Sequence, residues 1–382
     1  ANNTAVGYLA LDANTTADNN VAVGAAALTA NTTGHSNIAI GNSALAANTT
    51  TNRNIAIGVS ALGANSTGAE NVGIGYNTLD NNTGGNRNVG VGDAVLDANT
   101  TGGDNAAFGK SALTANTTGS QNVAVGAFAL DANTTAANNT AIGYNSMTAN
   151  TSGTANVAVG TATLVSNTTS SNNTAVGYAA LNANTTGTSN TAIGKDALIA
   201  QTGADNNVGI GRDAGQSLTT GSNNIVIGVE ALETATTADA NIAIGKGALK
   251  ANTSGTENVC MGHEAGNDIT TGGYNTAIGS YALTKNTTGS PHVAIGAYCL
   301  DANTDGTGHA AVGANALGAC TSGDRNTALG EKALLSVTTG DNNCAIGSLA
   351  GDSLTTGSNN IYIGRESDSS GTGVEHEIVI GN

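Results

Sequence analysis

The sequence predicts an all-β chain, a parallel β-solenoid (β-roll) built from 17-residue coils, and three observations predict it. Glycine recurs without one failure in steps of 17, from Gly7, Gly24, Gly41, Gly58 and Gly75 through to Gly381. Apolar residues recur in fixed columns around that glycine, which separates the chain from a disordered one. No insertion breaks the phase. In a stacked coil a one-residue slip would turn side chains from inside to outside, whereas loops between independent domains tolerate insertions.

The first element of each coil is a short strand, Asn-(Val/Ile/Thr)-(Ala/Gly)-(Val/Ile) before the glycine, as in Asn37, Ile38, Ala39 and Ile40. Positions three and one before the glycine share a face, and the residue between them is nearly always Ala or Gly, so one face is bulky and the other flat. The bulky face, with Ile38 and Ile40, is expected to fill the core. The glycine then permits a corner closed to other residues. A second strand is expected next, marked by Ala-Leu, as at Leu45 and Leu113, before Asn-Thr-Thr-Gly supplies turn chemistry back to the next coil.

Three coils vary alike. At Gly215, Gly266 and Gly351 the marker leucine becomes glycine, while the asparagine three residues later becomes Leu218, Ile269 and Leu354. Volume lost in one column reappears in the other, so both columns are expected in the core. The usual asparagine of the second column, Asn14, Asn31, Asn48 and Asn65, then forms a buried ladder, its amides hydrogen-bonding between coils about 4.8 Å apart. A second ladder lies four residues before the glycine. It is Asn from Asn3 to Asn275, then His292 and His309, then Asn326, Asn343 and Asn360, and finally Glu377.

The unbroken phase predicts one continuous array over 1–382. It is most regular in 1–200, carries variant coils in 201–382, and has an atypical terminal coil in 365–382. At about 4.8 Å per coil it would make a rod of roughly 105 Å. The chain begins at Ala1 without methionine and stops at Asn382 in mid-motif, which reads as part of a longer product. A flat Ala/Gly-lined face along such a rod is expected to let copies of the chain approach closely and self-associate.

With one proline (Pro291), no tryptophan and 10% charged residues, the composition is too bland for an ordinary enzyme core. A formal charge of −16 disfavours a nucleic-acid backbone or an anionic membrane, which would need clustered Lys or Arg. No apolar run is long enough to span a bilayer as a helix.

The strands Asn37 to Gly41 and Asn122 to Gly126 resemble the head repeats of trimeric autotransporter adhesins. The motif Asn-Thr-Ala-(Ile/Val)-Gly-Tyr-x-x-(Leu/Met)-x-x-Asn-Thr, at Asn139 to Thr151 and Asn173 to Thr185, is closer to repeats of bacteriophage tail fibres, of the type followed by a self-cleaving intramolecular chaperone. The resemblance implies a left-handed roll, three chains about one axis, and an extracellular place on a virion tail fibre or a cell surface. The 17-residue repeat, with its long Asn-Thr-Thr-Gly turn, departs from the usually shorter adhesin repeat. The last coil, in which Ser367 to Gly373 replaces the usual turn, looks like a junction to such a chaperone.

Little points to chemistry. Cys260, Cys299, Cys320 and Cys344 lie in four different columns, which disfavours stacked disulfides and suits small buried fillers. His292 and His309, one coil apart, are the only metal candidates, and no carboxylate pair completes a ligand set around them. Asp80 and Asp97 stack without the dense oxygens of a calcium loop. A threonine column runs from Thr15 to Thr355 with Ser66 as its exception, which fits turn hydrogen bonding better than an ice-binding array. Tyr8, Tyr76, Tyr144 and Tyr178 follow corner glycines but stand isolated, where a sugar site wants an aromatic platform.

The expectation is therefore a non-enzymatic homotrimeric fibre segment, a shaft or receptor-binding part of a phage tail fibre. Its partners would be itself and a host-surface glycan or protein, with no cofactor, no nucleic acid and no membrane insertion. The alternatives are a trimeric autotransporter adhesin, an end-to-end stacking filament and an ice-binding solenoid.

Overall fold

The computed structural model describes residues 2–381; Ala1 and Asn382, the ends of the expected array, lie outside the described residues. The chain divides into two compact units, Ala1–Ser189 and Asn190–Asn382. The first holds eleven three-residue strands, β1 (Thr4–Val6) to β11 (Thr174–Val176), and the second holds twelve, β12 (Thr191–Ile193) to β23 (Ile378–Ile380). Within each unit every strand pairs in parallel with the next in sequence, 17 residues on. Ile38, Ala39 and Ile40 face Ile55, Ala56 and Ile57 in the first unit. Ile242, Ala243 and Ile244 face Val259, Cys260 and Met261 in the second. The architecture is an all-β parallel solenoid of 17-residue coils.

The corner glycine ends each strand for a steric reason. Gly41 has φ +140°, and a Cβ there would lie 2.2 Å from the carbonyl oxygen of Gly58 in the next coil. Only glycine permits both the dihedral and the approach.

The expected second strand is not formed. After Gly41 the chain curls through turns, and residues two and four beyond it, Ser43 and Leu45, take left-handed φ of 57° and 49°. Successive left-handed residues bend the backbone back on itself, so the Ala-Leu marker belongs to a tight turn rather than an extended segment. Leucine at such a φ costs about 1–2 kcal/mol. Complete burial of Leu45 offsets this with about 1.5–3 kcal/mol, and its N–H still donates to Ala61 O at 3.0 Å. Gly215, Gly266 and Gly351, at the same position with φ 60°, carry no such cost.

The core faces are also the reverse of the expectation. From β2 (Val21–Val23) to β22 (Ile361–Ile363) the middle residue of every strand is buried and neither neighbour is. Ala39 is fully buried, Ile38 is half-buried and Ile40 is 38% exposed, so Ile38 and Ile40 are outward residues, not core. The reason is width. Leu45, Leu113 and the other leucines of their column beyond Leu11 are fully buried and cross the narrow interior to the middle strand position. A Cβ on Gly209 would lie 2.7 Å from Leu198 Cγ, whereas one on Gly73 would lie 3.4 Å from Leu62 Cγ, so opposite leucine some coils have room only for glycine and others for alanine. The flat Ala/Gly face lines the interior and is not offered to another copy.

Leu218, Ile269 and Leu354 are fully buried. The space left by the missing leucines is shared with the middle strand column: a Cβ on Gly266 would lie 2.6 Å from Cys260 Sγ, and one on Gly351 2.7 Å from Tyr362 Cδ2.

Both asparagine columns are hydrogen-bonded from coil to coil. Asn48 Nδ2 donates to Asn31 Oδ1 at 2.9 Å and Asn82 Nδ2 to Asn65 Oδ1 at 2.9 Å. Asn31, Asn48 and Asn65 are fully buried, while Asn14, near the chain start, is half-buried. In the second column Asn20 Oδ1 accepts the Asn37 N–H at 2.9 Å, and Asn20 Nδ2 donates to Gly34 O at 2.9 Å. These amides satisfy backbone groups that the short strands leave over.

Candidate functional site

Turning the strand inside out leaves a ridge of large apolar side chains on the outer face of each unit. In the first unit it includes Ile40, Ile57, Phe108 and Ile142, and in the second Ile193, Met261, Leu329 and Ile346, all 36–48% exposed. The column one residue before the corner glycine is apolar in all 23 strands although none of its members is buried. The column three before it admits Thr140, Thr174, Thr191, Thr276, Thr327 and Cys344. Scattered exposed hydrophobics need no explanation, but an uninterrupted ridge does.

The two ladder histidines stack, with ring centroids 5.2 Å apart and planes at 11°, and both are buried. Each imidazole does what the asparagine it replaces would do. The His309 N–H donates to His292 Nδ1 at 3.4 Å and the Asn326 N–H to His309 Nδ1 at 3.2 Å. On the far side of each ring Nε2 faces the first ladder, with Asn286 Nδ2 3.2 Å from His292 Nε2 and Asn303 Nδ2 3.4 Å from His309 Nε2, beside the backbone of Gly306 and Gly323, where a ladder amide such as Asn275 donates to Gly289 O. Because Nδ1 accepts a backbone N–H in both rings, the proton of each neutral imidazole belongs on Nε2. Burial, then the neighbouring His309, push His292 down to about 4; burial also lowers His309, against attraction from Asp324 and Asp341. With both nitrogens engaged, neither ring has a lone pair free for a metal. No cluster of three or more metal-ligating side chains occurs among the described residues.

Cys260, Cys299 and Cys320 are buried and free, and Cys344 is free and half-buried on the outer face of its strand. Burial pushes the Cys299 thiol up to about 12 and Cys320 to about 11, and raises Cys260 further, so these thiols stay protonated and unreactive. The threonine hydroxyls donate along the coil stack, Thr32 Oγ1 to Thr49 O at 3.0 Å and Thr117 Oγ1 to Thr134 O at 3.0 Å. A hydroxyl spent on a carbonyl is not presented to ice.

A site that the sequence reading passed over lies in the second unit. Glu264, Tyr281 and Tyr298 share the column two residues after the corner glycine. The Tyr281 and Tyr298 rings stack at 5.1 Å and 14°, and His263 sets its ring against Tyr281 at 5.1 Å and 72°. Beside them opens a groove of about 350 Å³ lined by Glu264, Tyr281, Thr284, Lys285, Tyr298, Asp301 and Ala302. Thr284 Oγ1 donates to Tyr281 O at 2.6 Å, and Lys285 Nζ pairs with Asp268 at 3.0 Å. Burial raises the Asp301 carboxyl above its ordinary value. The signal was present in the sequence: two tyrosines one period apart must stack in a parallel coil, and none of Tyr8, Tyr76, Tyr144 and Tyr178 has a tyrosine one coil away.

No protein-family model and no curated protein sequence matches the chain. No helix among the described residues is long and apolar enough to cross a membrane.

Proposed function

We propose that the chain is a structural segment of an extracellular fibre, assembled as a homotrimer through its outward Val/Ile ridge, in the manner of a bacteriophage tail fibre that meets a host surface. One observation carries the reading: the column before the corner glycine stays apolar in every strand without being buried by its own chain. A position that only faced water would accept serine, threonine or lysine, as exposed β positions commonly do. A partner whose surface repeats at the same spacing covers such a ridge along its length, and a second and third copy supply that spacing without adjustment. Three is the number implied by the resemblance to phage fibres and adhesin heads. Self-association therefore moves from the flat face to the bulky one.

Several features support a structural part rather than a catalyst. Ladder amides such as Asn31, Asn48, Asn65 and Asn82 are engaged in coil-to-coil bonds, the buried thiols are held protonated, and the histidines have both nitrogens occupied. The test is the native mass of the folded chain over a wide concentration range. A trimer whose mass does not change on dilution is expected; a stable monomer overturns the reading.

A further inference from the structure

We propose that the groove beside Tyr281 and Tyr298 binds a neutral pyranose sugar. A pyranose presents an apolar C–H face and a rim of hydroxyls, which the exposed Tyr298 ring and the polar groove beside it complement in turn. Tyr298, 44% exposed, ends the aromatic stack. The next residue in its column is Asn315, which carries no ring, so one tyrosine face is left without an aromatic neighbour. The other ring is fixed in advance. Tyr281 lies against Tyr298 on one side and meets the His263 ring on another, so little side-chain freedom remains to be lost on binding.

Around the rings stand groups that suit hydroxyls. The Glu264 and Asp301 carboxylates accept from them, the Lys285 ammonium donates to them, and the tyrosine hydroxyls do either. A groove of about 350 Å³ lies at the lower end of the range for small-ligand sites, about 300–1,000 Å³. That size suits one or two sugar rings.

Charge and geometry narrow the class. Two carboxylates line the groove against one lysine that already pairs with Asp268, so phosphate or an acidic sugar is disfavoured. A quaternary ammonium wants several ring faces turned toward it. Here the rings stack on each other and do not face one another across a cage.

None of the lining residues belongs to the ridge, so the site does not compete with self-association for side chains. The inference rests on the fibre reading only for where the sugar would be met, on a surface the fibre contacts.

The experiment is saturation-transfer NMR on the whole chain with the methyl glycosides of glucose, galactose and N-acetylglucosamine, and with tetramethylammonium as a contrasting probe. At least one glycoside is expected to receive magnetisation at its ring C–H protons. Tyr298→Ala should weaken that glycoside at least tenfold, and Tyr298→Phe should retain it. Alanine already stands in this column at Ala26 and Ala94, so the first variant keeps the fold, and its melting temperature verifies that. Absence of transfer to all three glycosides, unchanged binding in Tyr298→Ala, or binding of tetramethylammonium alone would each overturn the proposal. The native mass is read separately. A trimer that binds no sugar removes the site and keeps the fibre, while a monomer that binds sugar does the reverse.

Discussion

Placing an aspartate on the ridge at Ile57 separates the two faces of the strand most sharply. Ile57 stands in register with Ile40 and Ile74 on the outside of its unit and is 36% exposed in the single chain. Full burial of an isoleucine is worth about 1.5–3 kcal/mol, so covering the remaining third contributes about 0.5–1 kcal/mol per chain. Three chains meeting at one level would lose about 1.5–3 kcal/mol from the apolar contact alone. Ile57→Asp also forces three unpaired carboxylates toward one another in a dry contact, which adds several kcal/mol for each.

The variant should therefore sediment as a single chain at concentrations where the proposed trimer of the parent would persist. The coil itself should remain folded, because an aspartate on the outer face can turn to solvent in the monomer. Ala56→Asp supplies the contrast. Ala56 is fully buried, and a carboxylate there has neither room nor a partner, so the coil itself should unfold. The assay is sedimentation velocity on the parent and both variants at matched concentration, with circular dichroism to report the fold. If Ile57→Asp kept the parent mass, the ridge would not be the contact and the inference from the apolar column would fail.

Two further outcomes follow from the same geometry. His292 and His309 are held neutral with lowered folded-state pKa values, so the unfolded chain takes up protons first as pH falls; their contribution is fully present above about 6.5 and drains away down to about 4, where His292 protonates. The shift at His292 corresponds to roughly 3 kcal/mol, and melting curves at pH 7.5 and 4.5 should show a drop that His292→Asn with His309→Asn largely removes; an identical drop in that double variant would rule the pair out as its source. Gly41→Ala should cost about 3 kcal/mol or more in urea unfolding, since its Cβ would meet the Gly58 carbonyl oxygen at 2.2 Å; a loss under about 1 kcal/mol would mean the corner is not fixed as described.

Much of the coil was legible because its constraints repeat. The corner glycine, the two asparagine columns and the exchange of Gly215, Gly266 and Gly351 with Leu218, Ile269 and Leu354 are each a position where one chemistry fits. The faces of the strand were not. Alternation says that Val or Ile opposes Ala, but it does not say which side is inside, and a habit formed on larger cores puts the bulk inward. The corrective signal was present in the variant coils. Cys260 and Tyr362 stand where alanine is usual and lie against Gly266 and Gly351, so volume trades between the leucine column and the middle of the strand. Two columns that trade volume must touch. The turn after the glycine departs from the expected strand for a different reason, since a leucine at left-handed φ is rare enough that sequence alone favours an extended segment.

The two outward columns differ in what they tolerate. The column three before the glycine accepts threonine at Thr4, Thr140, Thr174, Thr191, Thr276 and Thr327, and alanine at Ala106 and Ala310, while the column one before it holds only Val, Ile, Leu, Met or Phe. Both belong to the same strand and both are left uncovered by their own chain, so strand propensity cannot separate them; threonine is as good a strand former as valine. What separates them is a demand for apolar surface at one column that the other escapes. A hydroxyl moved from water into a dry contact costs about 1–3 kcal/mol unless it finds a partner, and in a symmetric trimer that cost would fall on every chain at once. In the proposed trimer the column before the glycine would lie nearest the axis and the threonine-bearing column at its wet margin, so the composition of two adjacent columns would set the orientation of each chain about that axis.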